Sequence, residues 1–346
     1  MIKSVSIKNY RGIKNLELNN FKKYNFFVGD NGSCKTTAME AVFSAMPNGT
    51  SAPIVAANSR GMLVTSKTFD SFFYNTEENN KIELILNNEI FTEITTSETK
   101  ELLVLNDNVN IFNTSKNKED KKLLYKYNQK FNENNLLMED IYISENNMLS
   151  SNVAFNDKKN WNQIMEKYGL FCWMTQLTKY NQTTANTIKQ ILEDKKKEKF
   201  LELLKIFDSK IDDIFSDGQV IKISKEGMKK LVPISAFGTG ISAILDILSC
   251  FTDNTKVIFI DEIETGIHYA NFPKLIDVLI KLSNKKDIQL FFTTHSREFI
   301  EDFYKNIENN NEVSLFRFEN TKSGVKSTYF NTDEVLNNIE AGWDLR

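Results

Sequence analysis

The chain has 346 residues, 41% of them hydrophobic, which suffices for one large domain or two ordinary domains with a substantial core. Its 43 basic and 46 acidic side chains give a formal net charge of −3, so the molecule as a whole is not a basic nucleic-acid binder, although a local basic face is compatible with it. The sequence has no apolar run of membrane-spanning length and no secretory signal at its N-terminus, so we expect a cytoplasmic protein.

The three cysteines, Cys34, Cys172 and Cys250, are far apart in sequence and show no C-x-x-C spacing. This usage is typical of a reducing compartment. With only two histidines in the chain, we do not expect a zinc site.

The N-terminal region predicts a strand–loop–helix unit. Strands are expected over residues 2–8 and 16–18, and a short buried strand over 24–28 runs into a glycine-rich loop, GDNGSCKT at 29–36. Apolar residues at helical spacing predict a helix over 35–46. Backbone N–H groups of such a loop can bind phosphate oxygens, and the residues expected to bind nucleotide are Asn31, Gly32, Ser33, Cys34, Lys35, Thr36 and Thr37.

The middle of the chain gives weaker patterns. Several short alternating runs over residues 66–114 predict an antiparallel meander. Residues 115–199 are rich in Lys, Asn and Glu, and we interpret them as a mainly helical insert. Apolar residues from Phe200 to Ile214 keep helical spacing and predict a helix that returns the chain to the core. Strands are then expected at 220–224 and 230–235.

The C-terminal region alternates helices and strands, which predicts a largely parallel sheet with crossover helices. We expect helices over 241–250 and 275–282, buried strands over 257–260 and 288–293, and then a hairpin and a helix over 332–340. The first buried strand ends at Asp261 and Glu262, which could hold magnesium and polarise an attacking water, respectively. His295 follows the second buried strand and could contact a γ-phosphate.

Each motif also has an ordinary structural explanation when it is taken singly. The loop could be a turn followed by a lysine, the acidic pair a solvated turn, and His295 a core or capping histidine. The segment Ser235 to Gly240 could be a helix N-cap with flexible glycines, which is the better interpretation of it alone. The joint occurrence of the loop and the acidic pair favours a nucleotide site, in which Lys35 would reach the outer phosphates and Thr36 would ligate magnesium.

Together these segments resemble the ABC/SMC-type ATPases, in the branch of OLD-like and RecF-like AAA-type proteins. The similar segments are IKSVSIKNYRGIKNLEL, FFVGDNGSCKTT, ISAFGTGISAILDIL, VIFIDEIETGIHY and LFFTTHSREFIEDF. The resemblance implies an α/β P-loop head, ATP and Mg²⁺ as ligands, and a dimer that sandwiches the nucleotide. One copy would supply Lys35, Thr36, Asp261, Glu262 and His295, and its partner the signature residues Ser235, Gly238, Thr239 and Gly240. The D-loop at this seam would be Glu264, Thr265 and Gly266, and Arg11 would approach the phosphates.

The sequence departs from the family pattern at two points. Cys34 stands where the GxxxxGK[ST] motif has its second glycine, and no glutamine precedes Gln129 to serve as the Q-loop residue. Both departures predict slow turnover more than lost binding. We expect domains over 1–114, 115–199 and 200–346, with no TOPRIM-like nuclease after the ATPase fold.

Three functions stay open on the sequence. The first is an ATPase that senses a trigger and controls a separately encoded nuclease or toxin in anti-phage defence, as the resemblance suggests. The second is a DNA-repair or chromosome-associated ATPase that grips DNA through the Lys-rich runs at 116–130 and 195–199. The third is a nucleotide-gated scaffold with little turnover.

Overall fold

The computed structural model describes residues 1–47, 52–59, 61–62, 68–77, 81–96, 121–144, 149–155, 158–174, 182–307 and 310–342. The chain divides into two compact units. The first comprises Met1–Phe21, Asn31–Gly169 and Phe318–Thr328, and the second comprises Lys22–Asp30, Leu170–Arg317 and Tyr329–Arg346. The boundaries expected at residues 114 and 199 stay predictions.

The first unit is built on a seven-stranded sheet in the order β2-β1-β4-β5-β6-β7-β8, whose neighbouring strands are antiparallel. Its strands are β1 (Ser4–Tyr10), β2 (Ile13–Asn19), β4 (Ile82–Leu86), β5 (Ile90–Thr96), β6 (Lys121–Phe131), β7 (Asn134–Ser144) and β8 (Leu149–Phe155). Its helices are α1 (Lys35–Ser44), α2 (Ala52–Ser59) and α3 (Lys158–Tyr168).

The strands of this sheet bury one face. In β1, Val5 and Ile7 are buried, whereas Lys8 is exposed. A period of two is what a half-buried antiparallel strand requires. Helix α1 is instead buried along most of its length, because apolar residues occur on all of its faces.

The prediction of a mainly helical insert is wrong for residues 121–144 and 149–155, which contain β6, β7 and β8. In β6, Tyr125, Tyr127 and Gln129 are buried while Lys126 and Lys130 are exposed, and this alternation is a strand pattern. This alternation is hard to recognise in the sequence, because the buried residue Gln129 is polar and the neighbouring residues are lysines and asparagines. Helices α3 and α4 confirm the prediction only for the later part of the region.

Part of the predicted meander is confirmed, since β4 and β5 pair as a hairpin. The segment TFDSFFYN forms two short 3-10 helices, Phe69–Phe72 and Tyr74–Thr76, instead of a strand. The strands expected within residues 100–112 lie outside the described residues.

The other strands form a six-stranded sheet in the order β16-β15-β3-β14-β13-β9 and a three-stranded sheet, β10-β11-β12. The end of β15 (Val313–Thr321) and most of β16 (Gly324–Phe330) belong to the first unit. The second unit contains the rest of these two strands and β3 (Tyr24–Gly29), β9 (Leu170–Met174), β10 (Ile211–Ser216), β11 (Ile221–Lys225), β12 (Val232–Pro233), β13 (Thr255–Ile260) and β14 (Gln289–Thr293). Its helices are α4 (Gln182–Glu193), α5 (Lys197–Phe207), α6 (Thr239–Ser249), α7 (Phe272–Lys286), α8 (Arg297–Asn306) and α9 (Thr332–Glu340).

The centre of the six-stranded sheet is parallel, as the sequence predicts: β14 pairs with β3 and with β13, and β13 also pairs with β9. Every residue of β3 and β14 is buried, which is typical of strands covered on both faces. A cluster of aromatic rings, formed by Phe26, Phe292, Phe299 and Phe303, joins β3 and β14 to helix α8. The strands that carry the candidate motifs therefore lie in a rigid core.

The helix predicted from Phe200 to Ile214 is too long. Helix α5 ends at Phe207, Asp208 is extended, and Ile211 begins β10. The buried residues Ile211 and Ile214 are three apart, a spacing that also fits this strand because its register shifts between Ile211 and Asp213. Of the strands expected at 220–224 and 230–235, the first is confirmed as β11, while the second gives only β12 and a 3-10 helix, Ile234–Phe237.

Cys172 of β9 and Cys250, at the end of α6, form a disulfide bond with a Cα–Cα distance of 5.8 Å. The wide spacing of the cysteines in the sequence favoured unpaired thiols. The fold nevertheless brings these two together, because β9 pairs with β13 and α6 immediately precedes β13. In the described part of the chain, the helices lack the length and apolar character needed to cross a lipid bilayer.

Candidate active site

Three parallel strands of the second unit end at one edge of the sheet. Strand β3 ends at Gly29, β13 at Ile260 and β14 at Thr293. The Thr294 N–H donates to the Phe27 carbonyl at 3.3 Å, so the β3–β14 pairing continues to this edge. In open α/β sheets, the carboxyl ends of the strands are where ligands bind. The glycine-rich loop, the acidic pair and the histidine segment all begin at this edge.

The turn from the end of β3 to α1 contains three residues of positive φ. Gly29 has φ 138°, Gly32 has φ 76° and Cys34 has φ 69°, and α1 begins at Lys35. Turns of this kind aim backbone N–H groups into a concavity that suits an anion, and the N-terminus of α1 adds its dipole. Lys35 is only 6% exposed, and its Nζ donates to Ser33 Oγ at 3.5 Å.

Cys34 adopts the left-handed conformation that the motif's usual glycine would adopt without strain (φ 69°, ψ 23°). Its side chain lies beside Gly12, in the turn between β1 and β2. A Cβ atom at Gly12 would be 2.9 Å from Cys34 Sγ, closer than a side-chain contact allows. Gly12 therefore leaves the space that the thiol of Cys34 occupies.

Arg11, next to Gly12, forms an ion pair with Glu40 of α1, with Nε 3.1 Å from Oε2. The Glu40 side chain is fully buried, and the Arg11 side chain is 14% exposed. The guanidinium group also lies 4.8 Å from the centre of the Phe72 ring, a cation–π contact. Arg11 thus holds the phosphate-loop helix to the β1–β2 turn, and its approach to phosphates stays a prediction.

The acidic pair is held by the last residue of β14. Thr293 Oγ1 donates to Asp261 Oδ1 at 2.6 Å and accepts a hydrogen bond from the Glu262 N–H at 2.7 Å. The Ile263 N–H donates to the Thr293 carbonyl at 3.1 Å. Glu262 has φ 51°, an unusual conformation for a residue with a side chain. Strained backbone of this kind concentrates at functional sites and needs surrounding contacts to hold it.

The histidine segment is held by Glu264. Its Oε2 accepts from Thr294 Oγ1 at 2.8 Å, and its Oε1 accepts from the His295 N–H at 2.6 Å. Ser296 then caps α8, accepting from the Phe299 N–H at 3.1 Å. These bonds lie within one copy of the chain, and the position of Glu264 at a dimer seam, which the resemblance implies, stays a prediction.

The predicted signature segment leads into α6. Ser235 lies in the 3-10 helix, and Gly238 has φ 84° immediately before α6 begins at Thr239. Within the same copy this segment packs on the predicted D-loop: a Cβ at Gly240 would lie 3.2 Å from the Gly266 carbonyl oxygen. Ser235, Gly238 and Thr239 are exposed, which leaves the helix N-terminus accessible.

Sequence analysis misses three contributors. The hydrogen bonds of the Thr293 hydroxyl and of the Glu264 carboxylate can be recognised only when the pairing of β13 with β14 is known. The TTHS segment was nevertheless a signal, since polar residues at the end of a buried strand need partners. The third, Gln129, is buried and donates from Nε2 to the Met46 carbonyl at 3.1 Å and to Thr92 Oγ1 at 2.9 Å, so the chain's first glutamine supports the segment after α1.

The fold and these segments define an α/β P-loop ATPase with a head of the ABC/SMC type. Residues 24–301 match the family described as "AAA domain, putative AbiEii toxin, Type IV TA system", and the chain belongs to this family. It is similar to a Helicobacter pylori protein named ATP/GTP phosphatase, with 27% identity over 348 residues that cover 87% of each chain.

Two solved structures share the fold at low sequence identity. One is an Smc head bound to the C-winged helix domain of ScpA, with a TM-score of 0.54 and 13% identity, covering 97% of this chain and 99% of the other. The other is an Smc head domain with an extended coiled coil, bound to the C-terminal domain of ScpA derived from Pyrococcus furiosus. Its TM-score is 0.51 at 11% identity, and coverage is 98% of both chains.

Proposed function

We propose that this ATPase binds ATP with Mg²⁺ between two copies of the chain and uses hydrolysis to control a separately encoded effector. The observation that carries the proposal is the common edge of β3, β13 and β14. This edge fixes where the phosphate loop starts and holds Asp261, Glu262 and the His295 backbone on rigid strands.

Each residue then has a task in phosphoryl transfer. Lys35 neutralises the outer phosphates from the start of α1, while the backbone N–H groups of residues 31–37 bind their oxygens. Glu262 orients the attacking water and accepts its proton. His295 contacts the γ-phosphate and registers its loss.

The donor set fits magnesium. The Thr36 hydroxyl and the Asp261 carboxylate are hard oxygen ligands, which Mg²⁺ prefers over nitrogen or sulfur. When bound, the ion would neutralise charge on the phosphate oxygens. Thr293 directs one Asp261 oxygen through its hydrogen bond, as partners of metal ligands commonly do.

The exposed N-terminus of α6 supports the sandwich dimer. Ser235, Gly238, Thr239 and Gly240 would offer N–H groups and hydroxyls to the nucleotide of the partner copy, with Glu264, Thr265 and Gly266 at the seam. The two Smc heads that share the fold were each solved with part of ScpA bound, so a head of this shape can carry a second protein. That support is by analogy of fold.

The family description links the AAA domain itself, as a putative toxin, to a type IV toxin–antitoxin system, so it supports a role in such a system and does not identify a second protein. From the resemblance of its motifs, we propose that the chain belongs to the OLD-like branch and is the ATPase of an anti-phage pair whose nuclease or toxin is encoded separately. Co-purification with its genomic neighbours tests this role. An ATPase that travels alone in the ATP-bound, ADP-bound and nucleotide-free states would contradict it.

The DNA-binding alternative is less well supported. Within the Lys-rich run at 195–199, Lys196 pairs with Asp253 at 2.6 Å and Lys197 with Asp213 at 2.5 Å. Lysines paired with carboxylates form a solvated helix face and carry little net charge toward phosphates. Affinity for duplex DNA that falls steeply with salt would restore this alternative.

The test is hydrolysis of ATP and of GTP by the purified chain beside Lys35→Ala and Glu262→Gln. GTP is included because the Helicobacter pylori relative is named for both nucleotides. We expect each variant to lose roughly a hundredfold or more in kcat, since each removes a group acting on the transition state. Lys14→Ala and Glu17→Gln, on the exposed side of β2, are the matched controls.

Oligomeric state is followed in the same samples. ATP should stabilise a dimer of the Glu262→Gln variant, because bound nucleotide persists when hydrolysis stops. Hydrolysis that continues in both variants would contradict the assigned site. A particle that stays monomeric with every nucleotide would contradict the sandwich, and binding without turnover in the wild type would favour the nucleotide-gated scaffold.

A further inference from the structure

Two side chains join the segment after β13 to the segment after β14, and we call Thr293 and Glu264 the strand-end clasp. Thr293, at the end of β14, contacts the acidic pair that follows β13. Glu264, in the loop after β13, contacts the histidine segment that follows β14. Each of the two segments thus supplies one side chain that holds the other segment in place.

The Thr293 hydroxyl serves both residues of the acidic pair at once. It donates to Asp261 Oδ1 at 2.6 Å, which sets the rotation of that carboxylate. It accepts from the Glu262 N–H at 2.7 Å, which helps hold Glu262 at φ 51°. Thr293 is fully buried, so these bonds lie where water competes little for them.

Both oxygens of the Glu264 carboxylate bind the histidine segment. One accepts from Thr294 Oγ1 at 2.8 Å and the other from the His295 N–H at 2.6 Å. Thr294 Oγ1 in turn accepts from the Ser296 N–H at 3.0 Å, just before α8 begins. The carboxylate thereby fixes the backbone from which the His295 side chain extends.

We propose that Thr293 and Glu264 are positioning residues for ATP hydrolysis, acting through Asp261, Glu262 and His295. This inference rests on the proposed function of that site. Hydrogen-bond partners of this kind hold reacting groups in their productive geometry, and their loss typically costs ten- to a hundredfold in activity.

The fold itself does not depend on the clasp. Strands β13 and β14 are joined by a parallel ladder from Val257 and Gln289 to Ile260 and Phe292, and buried aromatic rings pack against β14. Removing the clasp should therefore lower kcat while leaving the Michaelis constant for ATP and the unfolding midpoint close to those of the wild type.

The experiment compares variants that keep or remove the polar contact, with Thr293→Val and Glu264→Gln close to the original side chains in size and Thr293→Ser smaller by one methyl group. Thr293→Ser keeps the hydroxyl and Thr293→Val removes it. Glu264→Gln keeps one acceptor oxygen and removes the other, and Glu226→Gln, at an exposed turn, is its control. The readouts are kcat, the Michaelis constant for ATP, and amide hydrogen exchange of residues 293–298.

We expect Thr293→Val and Glu264→Gln to lower kcat roughly ten- to a hundredfold, with Thr293→Ser near wild type. Exchange at the His295 amide should rise in Glu264→Gln, whose acceptor is weakened, while exchange in β13 stays unchanged. Wild-type kcat in both Thr293→Val and Glu264→Gln would overturn the proposal. Equal losses in Thr293→Ser and Thr293→Val would also overturn it.

The outcomes separate this inference from the function on which it rests. A wild-type chain without Lys35-dependent hydrolysis contradicts the proposed function. Amide exchange then still tests the clasp, because unchanged His295 exchange in Glu264→Gln would refute it without any activity measurement. If Thr293→Val fails to fold, kcat and His295 amide exchange in Glu264→Gln decide whether the proposal holds.

Discussion

The seven-stranded and six-stranded sheets differ in strand direction and in the pattern of buried residues along their strands. The first is antiparallel, joins many of its strands through short hairpins, and alternates buried and exposed residues. The second has a parallel centre whose strands are buried throughout. Because parallel strands need covering helices on both faces, their side chains are committed to packing, and polar chemistry is left to the residues just beyond their ends.

This difference explains where the candidate residues occur. Asp261, Glu262 and His295 follow parallel strands, while the antiparallel sheet contributes turn residues, Arg11 and Gly12, that support α1 and the phosphate loop. The residues that we propose to react therefore lie at strand ends, and a hairpin turn contacts the glycine-rich loop and its helix.

The largest expected effect tests whether side chains of the parallel centre contribute more to stability than those on the exposed face of the antiparallel sheet. Phe292→Ala removes a fully buried ring that contacts Phe26, Phe299 and Phe303, and should lower the free energy of unfolding by about 3–5 kcal/mol. Phe91→Ala, on the antiparallel sheet at 38% exposure, is the matched control and should cost less than about 1 kcal/mol. Urea denaturation measures both, and similar losses would contradict the comparison.

A second prediction concerns a carboxyl group in the second unit. Burial raises the pKa of Asp246 on α6 to about 6, against a hydrogen bond with Thr184 that lowers it. Between about pH 4 and pH 6 the unfolded chain loses this proton while the folded chain keeps it, so stability falls as pH rises through that window.

Asp246→Asn removes this cost. At pH 7.5 the variant should be more stable than the wild type by roughly 1–3 kcal/mol, and the difference should shrink toward pH 4. Urea denaturation at the two pH values measures it. Equal stability of the two proteins at pH 7.5 would show that Asp246 ionises in the folded chain without penalty.

The smallest expected effect sharpens the role of the antiparallel turn. Gly12→Ala brings a Cβ to 2.9 Å from Cys34 Sγ and should weaken ATP binding about tenfold, or about 1.4 kcal/mol, by displacing the loop. Gly12 does not have positive φ, so alanine adds no backbone strain there. Calorimetric titration with a non-hydrolysable ATP analogue measures the affinity.

Cys34→Ala is the companion variant, because it removes the sulfur and keeps the Cβ. The double variant Gly12→Ala, Cys34→Ala should recover the affinity of Cys34→Ala alone. If the double variant binds as weakly as Gly12→Ala, the two side chains do not compete for the same space.

The parallel centre and the motifs at its strand ends follow directly from the sequence. Continuous apolar runs such as VIFI and LFFT identify buried strands, and the polar residues after them mark the edge at which ligands commonly bind in sheets of this kind. The helices α6 and α7 were equally visible, because their apolar residues recur at helical spacing.

Two other features depend on tertiary context that a linear pattern does not contain. Strands β6 and β7 bury Gln129 and Glu139, so a search for apolar alternation overlooks them. The bridge between Cys172 and Cys250, and the hydrogen bonds of Thr293, exist only because strand pairing brings distant residues together.

The position of β3 in the six-stranded sheet has a consequence for biosynthesis. Asn25 Nδ2 donates to the Leu290 carbonyl across 265 positions of the chain. The ribosome therefore synthesises β3 long before β14, its parallel neighbour. Until β14 is made, the apolar side chains of β3 are not buried against it. Pairing at such separation slows folding and leaves nascent chains prone to aggregation, so chaperone capacity should limit the yield of this protein.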